Sequence, residues 1–184
     1  MNKTLKFAVT TIWILLSRGY DAYCTNQFTP DLALEANPLV SVLGFTWTPL
    51  LMFIVFFTLY AIYGYYLSVF QPIRMLPNKS GYSFSNIVAY LYLGYQGEWY
   101  QTLYKLPNSL HRFNQYMGQI LSKCLVFVGI LSTVMWLLIN NTEWYQTVHS
   151  VQLIYAILIT GCLVIIYFWN YNKYKSYLSD QAIQ

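Results

Sequence analysis

The chain has 184 residues, of which 57% are hydrophobic, 20% aromatic and only 9% charged, where a soluble domain carries about a quarter charged residues. Ten Lys and Arg and six Asp and Glu cannot cover the polar surface of a water-soluble domain of this size, and a mean hydropathy of +0.41 assigns the remainder to lipid. The length excludes a large soluble catalytic unit, and no glycine-rich phosphate loop, zinc knuckle or DNA-binding arm is present, so direct nucleic-acid binding is not expected.

A helix needs about 20 residues, each rising about 1.5 Å, to cross about 30 Å of hydrocarbon. Four stretches qualify. In the first, 5–23, the apolar run after Lys6 is interrupted by Arg18 and Asp21 near its outer end. A cleaved secretory signal peptide competes for it, with Lys3 and Lys6 as the basic region, 7–16 as the apolar region and Ser17-Arg18-Gly19 as the small-x-small site. Cleavage would leave three spans in the same orientation.

Next comes the part richest in chemical groups. Asp21 ends an otherwise apolar helix, where the macrodipole disfavours a negative charge, so it calls for a partner; Arg18 at i−3 supplies one on the same face, and Thr25 at i+4 adds a hydroxyl. Asp31 and Glu35 bring the carboxylates to three within fifteen residues. Glu35-Ala36-Asn37-Pro38 turns back toward the second span, with Asn37 held extended by Pro38. In the plainest reading this is a capped, salt-bridged helix end, with Thr29 or Asp31 starting a short interfacial helix. A functional reading gives the oxygens of Asp21, Glu35 and Thr25 to a cation. Acid–base hydrolysis would need a nucleophile or a metal-bound water, and no such constellation is present, so neither an enzyme nor a bound metal or cofactor is expected.

The order Asp-x-x-x-Thr, a short linker, then Glu-x-Asn-Pro-Leu between a first and a second span resembles a widespread group of small uncharacterised bacterial membrane proteins over residues 21–39. The resemblance implies a shared re-entrant turn between two helices and carries no function. Leu34 stands where that group has a glycine, and Thr29-Pro30-Asp31-Leu32 supplies a different turn.

The second span, 49–70, starts with Thr48 as cap and Pro49 in the first helical position. Residues 71–119 then form a long connection, and seven of the nineteen tyrosines fall in it. Ser83 or Ser85 caps a helix carrying Phe84, Ile87, Val88 and Leu91, Gly94 and Gly97 break it, and Asn108 or Ser109 caps a second helix that runs into the third span. An amphipathic, tyrosine-rich segment suits a membrane interface, and the sharper reading makes it a docking surface for a protein partner, with Tyr90, Tyr95, Trp99, Tyr104, His111 and Arg112 as its candidate contacts. The third and fourth spans are 120–139, with Lys123 snorkelling, and 151–169.

Nine of the ten Lys and Arg fall before or at the start of the first span, between the second and third or at the start of the third, or after the fourth. The positive-inside rule therefore puts both termini in the cytoplasm and the protein in the inner membrane. Cys24, Cys124 and Cys162 fall at three depths, which argues against a disulfide. Gly129, Ser132 and Gly161 permit close helix approach and self-association.

Altogether the sequence predicts a single domain over 1–184, an all-α integral membrane protein: a four-span transmembrane helix bundle with an amphipathic interfacial segment. Two functions follow. One is an accessory or regulatory membrane protein acting through a partner docked on residues 82–118. The other is a homo-oligomeric pore whose outer mouth carries Asp21, Asp31 and Glu35. In length and topology the chain also resembles the accessory membrane proteins of type VI-B CRISPR loci, which implies an accessory role beside an RNA-guided nuclease.

Overall fold

The computed structural model describes residues 2–35 and 37–182, and every regular element among them is helical. The helices are α1 Lys3–Phe28, α2 Pro38–Ser41, α3 Trp47–Phe70, α4 Phe84–Leu93, α5 Leu110–Asn141, α6 Glu143–Val148 and α7 Val151–Ala182, with a 3₁₀ turn at Trp99–Leu103. The variable position of the Glu-x-Asn-Pro motif, Ala36, lies outside the described residues.

Helix α5 is the hub, packing against α3, α1 and α7, while α1 also packs on α3. Small residues make this possible. The backbones of α3 and α5 meet where Gly64 faces Gly118, and a methyl on Gly118 would overlap the backbone of Gly64 and Tyr65. A methyl on Gly129 would strike Ser17 of α1, and one on Gly161 would strike the ring of Phe127. The small residues expected to serve self-association are thus used within the chain, because close helix approach stabilises a bundle through dispersion wherever it occurs.

Among the described residues three helices, α3, α5 and α7, are long and apolar enough to cross a membrane. Helix α1 is more polar, yet Leu5, Val9, Ile12 and Leu16 form an exposed apolar stripe along it. Several predicted boundaries shift. Helix α1 extends to Phe28, so Asp21 sits inside the helix and not at its end, with Thr29 closing it through a backbone bond to Thr25 O of 2.8 Å. Helix α3 starts at Trp47 with Thr46 at the cap, which leaves Pro49 in the first turn, where a missing N–H costs nothing. Helix α7 continues well past 169. Cys162 packs against the same buried cluster as Cys124, so these two thiols are neighbours at one level and not at separate depths, although all three cysteines are free.

The larger buried cluster lies at the Lys- and Arg-rich end, where α4 packs under α5 and α7 and joins Tyr82, Ile87, Leu91, Tyr116, Ile120 and Tyr177. Ser83 caps α4 in a reciprocal box with Asn86, and Gly94 ends it at φ 85°, a left-handed conformation that glycine adopts at low cost. Ser109 caps α5 by accepting from the Arg112 N–H at 3.4 Å.

Candidate ligand cavity at the Asp21 end

On α1, Arg18, Asp21 and Thr25 follow 3–4 spacing and face α5. Arg18 Nη1 donates to Asp21 Oδ2 at 3.3 Å, and Arg18 Nη2 donates to Ser132 Oγ at 2.9 Å. The other carboxylate oxygen, Oδ1, accepts from Trp136 Nε1 at 2.8 Å. Asp21 is therefore fixed from both sides. The predicted Arg18–Asp21 pair is present, with side chains 15% and 31% exposed, and it is the ion pair among the described residues.

The linker that follows is tied down residue by residue. Asp31 Oδ1 accepts from the Ala33 N–H at 3.1 Å and the Thr29 hydroxyl accepts from the Leu34 N–H at 3.2 Å, an arrangement of hydrogen-bonded turns in place of the expected short helix. Within it Leu32 takes φ 60° and is buried, so packing offsets an unfavourable backbone conformation. Trp47 Nε1 donates to Pro30 O at 2.7 Å and fastens the turn to α3. Then Glu35 Oε1 accepts from the Asn37 N–H at 2.8 Å, while Asn37 Oδ1 caps α2 by accepting from the Leu39 N–H at 3.0 Å. Pro38 occupies the first turn of α2. This explains the Glu-x-Asn-Pro spacing: one asparagine orients the carboxylate with its backbone and starts a helix with its side chain.

These groups surround a cavity of about 300 Å³. Arg18, Asp21, Thr25, Glu35 and Asn37 line it; Asp31 and Pro38 do not, because the former is exposed and serves the turn and the latter serves α2. Residues that the sequence left apart complete the wall, with Ser132 and Trp136 coming from α5 and His149 and Tyr155 from the last connection and α7. Tyr155 lies close to Glu35 and within the electrostatic reach of Asp21, so the phenol and both carboxylates face the same cavity. Leu50, Ile54, Val128 and Leu158 make the remainder apolar. A buried indole N–H or phenol needs an acceptor, but nothing in the sequence singles out Trp136 and Tyr155 from the other tryptophans and tyrosines. Among the described residues no group of three or more His, Cys, Asp or Glu is placed to hold a metal ion.

The second set of predicted residues lies at the opposite end and divides in two. Arg112 donates to the carbonyls of Met75 at 2.7 Å and Arg74 at 3.0 Å and stacks its guanidinium 5.0 Å from the Tyr90 ring centre. His111 Nε2 lies 2.8 Å from Gln115 Nε2, and Tyr95 donates to Leu106 O at 3.5 Å. Trp99 and Tyr104, by contrast, are 57% and 66% exposed. Tyr82 is packed among Tyr90 and Tyr177; burial lifts its phenol above the usual range, and those two neighbours add to the effect. Glu98 accepts from the Ser85 hydroxyl at 2.5 Å and the Asn86 amide at 3.0 Å, and so joins the 3₁₀ turn to α4.

Compared with known proteins, the chain matches no family model, no curated protein and no solved structure.

Proposed function

We propose that the protein is a four-span inner-membrane protein with both termini cytoplasmic, which binds a small amphiphilic organic cation in the Asp21 cavity and acts as a non-enzymatic accessory or regulatory component. The observation that carries the ligand assignment is the convergence of Asp21, Glu35 and Tyr155 from three segments on one cavity, each carboxylate already oriented by donors of the protein itself. Two carboxylates face one guanidinium there, so the formal charge of the cavity is negative, and its aliphatic walls suit an alkyl chain. Trp136 and Tyr155 offer ring faces for an ammonium group. The fourth span is supported by the exposed apolar stripe on α1, and the orientation by the nine Lys and Arg directed to one end.

The purified chain in nonionic detergent, titrated with hexyltrimethylammonium, tests this by tryptophan fluorescence, since Trp47 and Trp136 line the cavity. A saturable change that is lost in Glu35→Gln is expected. No saturable change, or one that Glu35→Gln leaves intact, would overturn the assignment.

A regulatory role through a docked protein partner is supported by a separate observation: Trp99, Leu103, Tyr104 and Leu106 are all more than half exposed on one short stretch. Replacing Trp99 and Tyr104 by serine should release a co-purifying partner while leaving ammonium binding unchanged. Retention of the partner at wild-type level would sink this role.

A further inference from the structure

At the end opposite the Asp21 cavity lies a second, more open recess of about 570 Å³, formed between the connection after α3 and the start of α5. Arg74, Lys79 and Arg112 line it, and no carboxylate is among its lining residues. Three cations gathered without a counter-charge repel one another, and the arrangement persists because the backbone that carries them is held by other means. Gln115, itself buried, donates to Gln71 O at 2.6 Å and accepts from the Ile73 N–H at 3.2 Å. Arg112 grips the next two carbonyls, and the Tyr177 hydroxyl donates to Lys79 O at 2.9 Å and accepts from the Tyr82 N–H at 3.1 Å. The loop is thus fixed from α5 and α7 at six backbone groups between residues 71 and 82, while the Arg74 and Lys79 side chains stay exposed at the rim. Tyr95, Gln96 and Asn78 add neutral hydrogen-bonding groups to the lining.

We propose that this recess binds a phosphate monoester, carried either on a lipid or on a soluble molecule. Arg112 is held by two carbonyls and a ring face, and these two bonds use only two of the five N–H donors of its guanidinium. Arg74 and Lys79 close from the rim, where a charged headgroup at the surface of the bilayer would reach them. A divalent cation would be repelled, and a neutral amphiphile would leave the three charges uncompensated.

The test uses the full chain in nonionic detergent and three probes: dioctanoyl phosphatidic acid, dioctanoylglycerol, which lacks only the phosphate, and inorganic phosphate. Thermal unfolding reads the binding. Phosphatidic acid should raise the midpoint saturably, dioctanoylglycerol should not, and Arg74→Gln with Lys79→Gln should weaken the phosphatidic acid response about tenfold. Both side chains are exposed, so the double variant should keep its helicity; should it lose helicity, raising salt to about 0.5 M must weaken the wild-type response instead. A response to inorganic phosphate of similar affinity assigns the site to soluble phosphates, and a response to phosphatidic acid alone assigns it to lipid; either supports the proposal. No response to either phosphate probe, an equal response to dioctanoylglycerol, or a response insensitive to both the variant and salt would overturn it.

Discussion

At the basic end of the bundle, polar side chains bond to backbone: Gln115 to residues 71 and 73, Arg112 to 74 and 75, Tyr177 to 79 and 82. At the acidic end the linker is held through backbone in the same way, but between the helices side chains bond to one another, as Arg18 does to Ser132 and Trp136 to Asp21. A side chain that satisfies buried backbone groups fixes a loop and lets neighbouring apolar residues close over it, which is where the main buried cluster lies. Side chains that satisfy one another across a gap hold the gap open. The same helices serve both ends, since α5 carries Arg112 and Trp136, and α7 carries Tyr155 and Tyr177.

The strongest way to break the comparison is to attack the scaffold that both ends share. Gly118→Leu forces a branched side chain into the backbone of Gly64 and Tyr65, where no side chain can move aside, and should cost about 3 kcal/mol or more. Thermal unfolding in detergent should show a non-native or much less stable bundle, with both ligand responses lost together. Asp21→Asn comes next. It leaves the largely buried Arg18 guanidinium without its carboxylate and should cost about 2–3 kcal/mol, somewhat reduced because Asp21 is partly exposed. The double variant Arg18→Gln with Asp21→Asn should recover at least half of that loss, and simple additivity in the unfolding data would deny the coupling. Gln115→Leu should cost about 1–3 kcal/mol by stranding the Gln71 carbonyl and the Ile73 N–H. Because that loss falls on a clamp at the far end, the ammonium titration should remain unchanged.

The sequence carried the helices and the first half of the cavity well, for a reason particular to each. Arg18, Asp21 and Thr25 share a face by helical spacing alone, and Ser83 and Ser109 cap their helices through local side-chain chemistry. Glu35 and Asn37 were legible because their contact spans two residues. Trp136 and Tyr155 were not, since nothing local says which of six tryptophans and nineteen tyrosines meets Asp21 and Glu35 across three helices. The same distance problem hid the clamps: Arg112 looks like a surface cation in a basic segment until residues 74 and 75 are brought beside it. Helix α7 also runs past the predicted 169, and there Lys173 and Lys175 stack on Trp169 and Tyr171, a cation–π contact one turn apart that suits a continuing helix.

The smallest expected change in stability sharpens the comparison most. Tyr155→Phe removes one hydroxyl from the cavity and leaves the ring, while Glu35 keeps its bond from the Asn37 N–H and Asp21 keeps its bonds from Arg18 and Trp136. Unfolding should therefore shift by no more than about 1 kcal/mol. Ammonium binding should weaken severalfold, because the phenol is the polar group that α7 adds to the wall beside Glu35. The corresponding loss at the other end, Tyr177→Phe, strands the Tyr82 N–H and the Lys79 carbonyl in a buried site. Phenylalanine there should cost clearly more stability than at 155, and equal costs at the two positions would mean that the cavity phenol is as structural as the clamp.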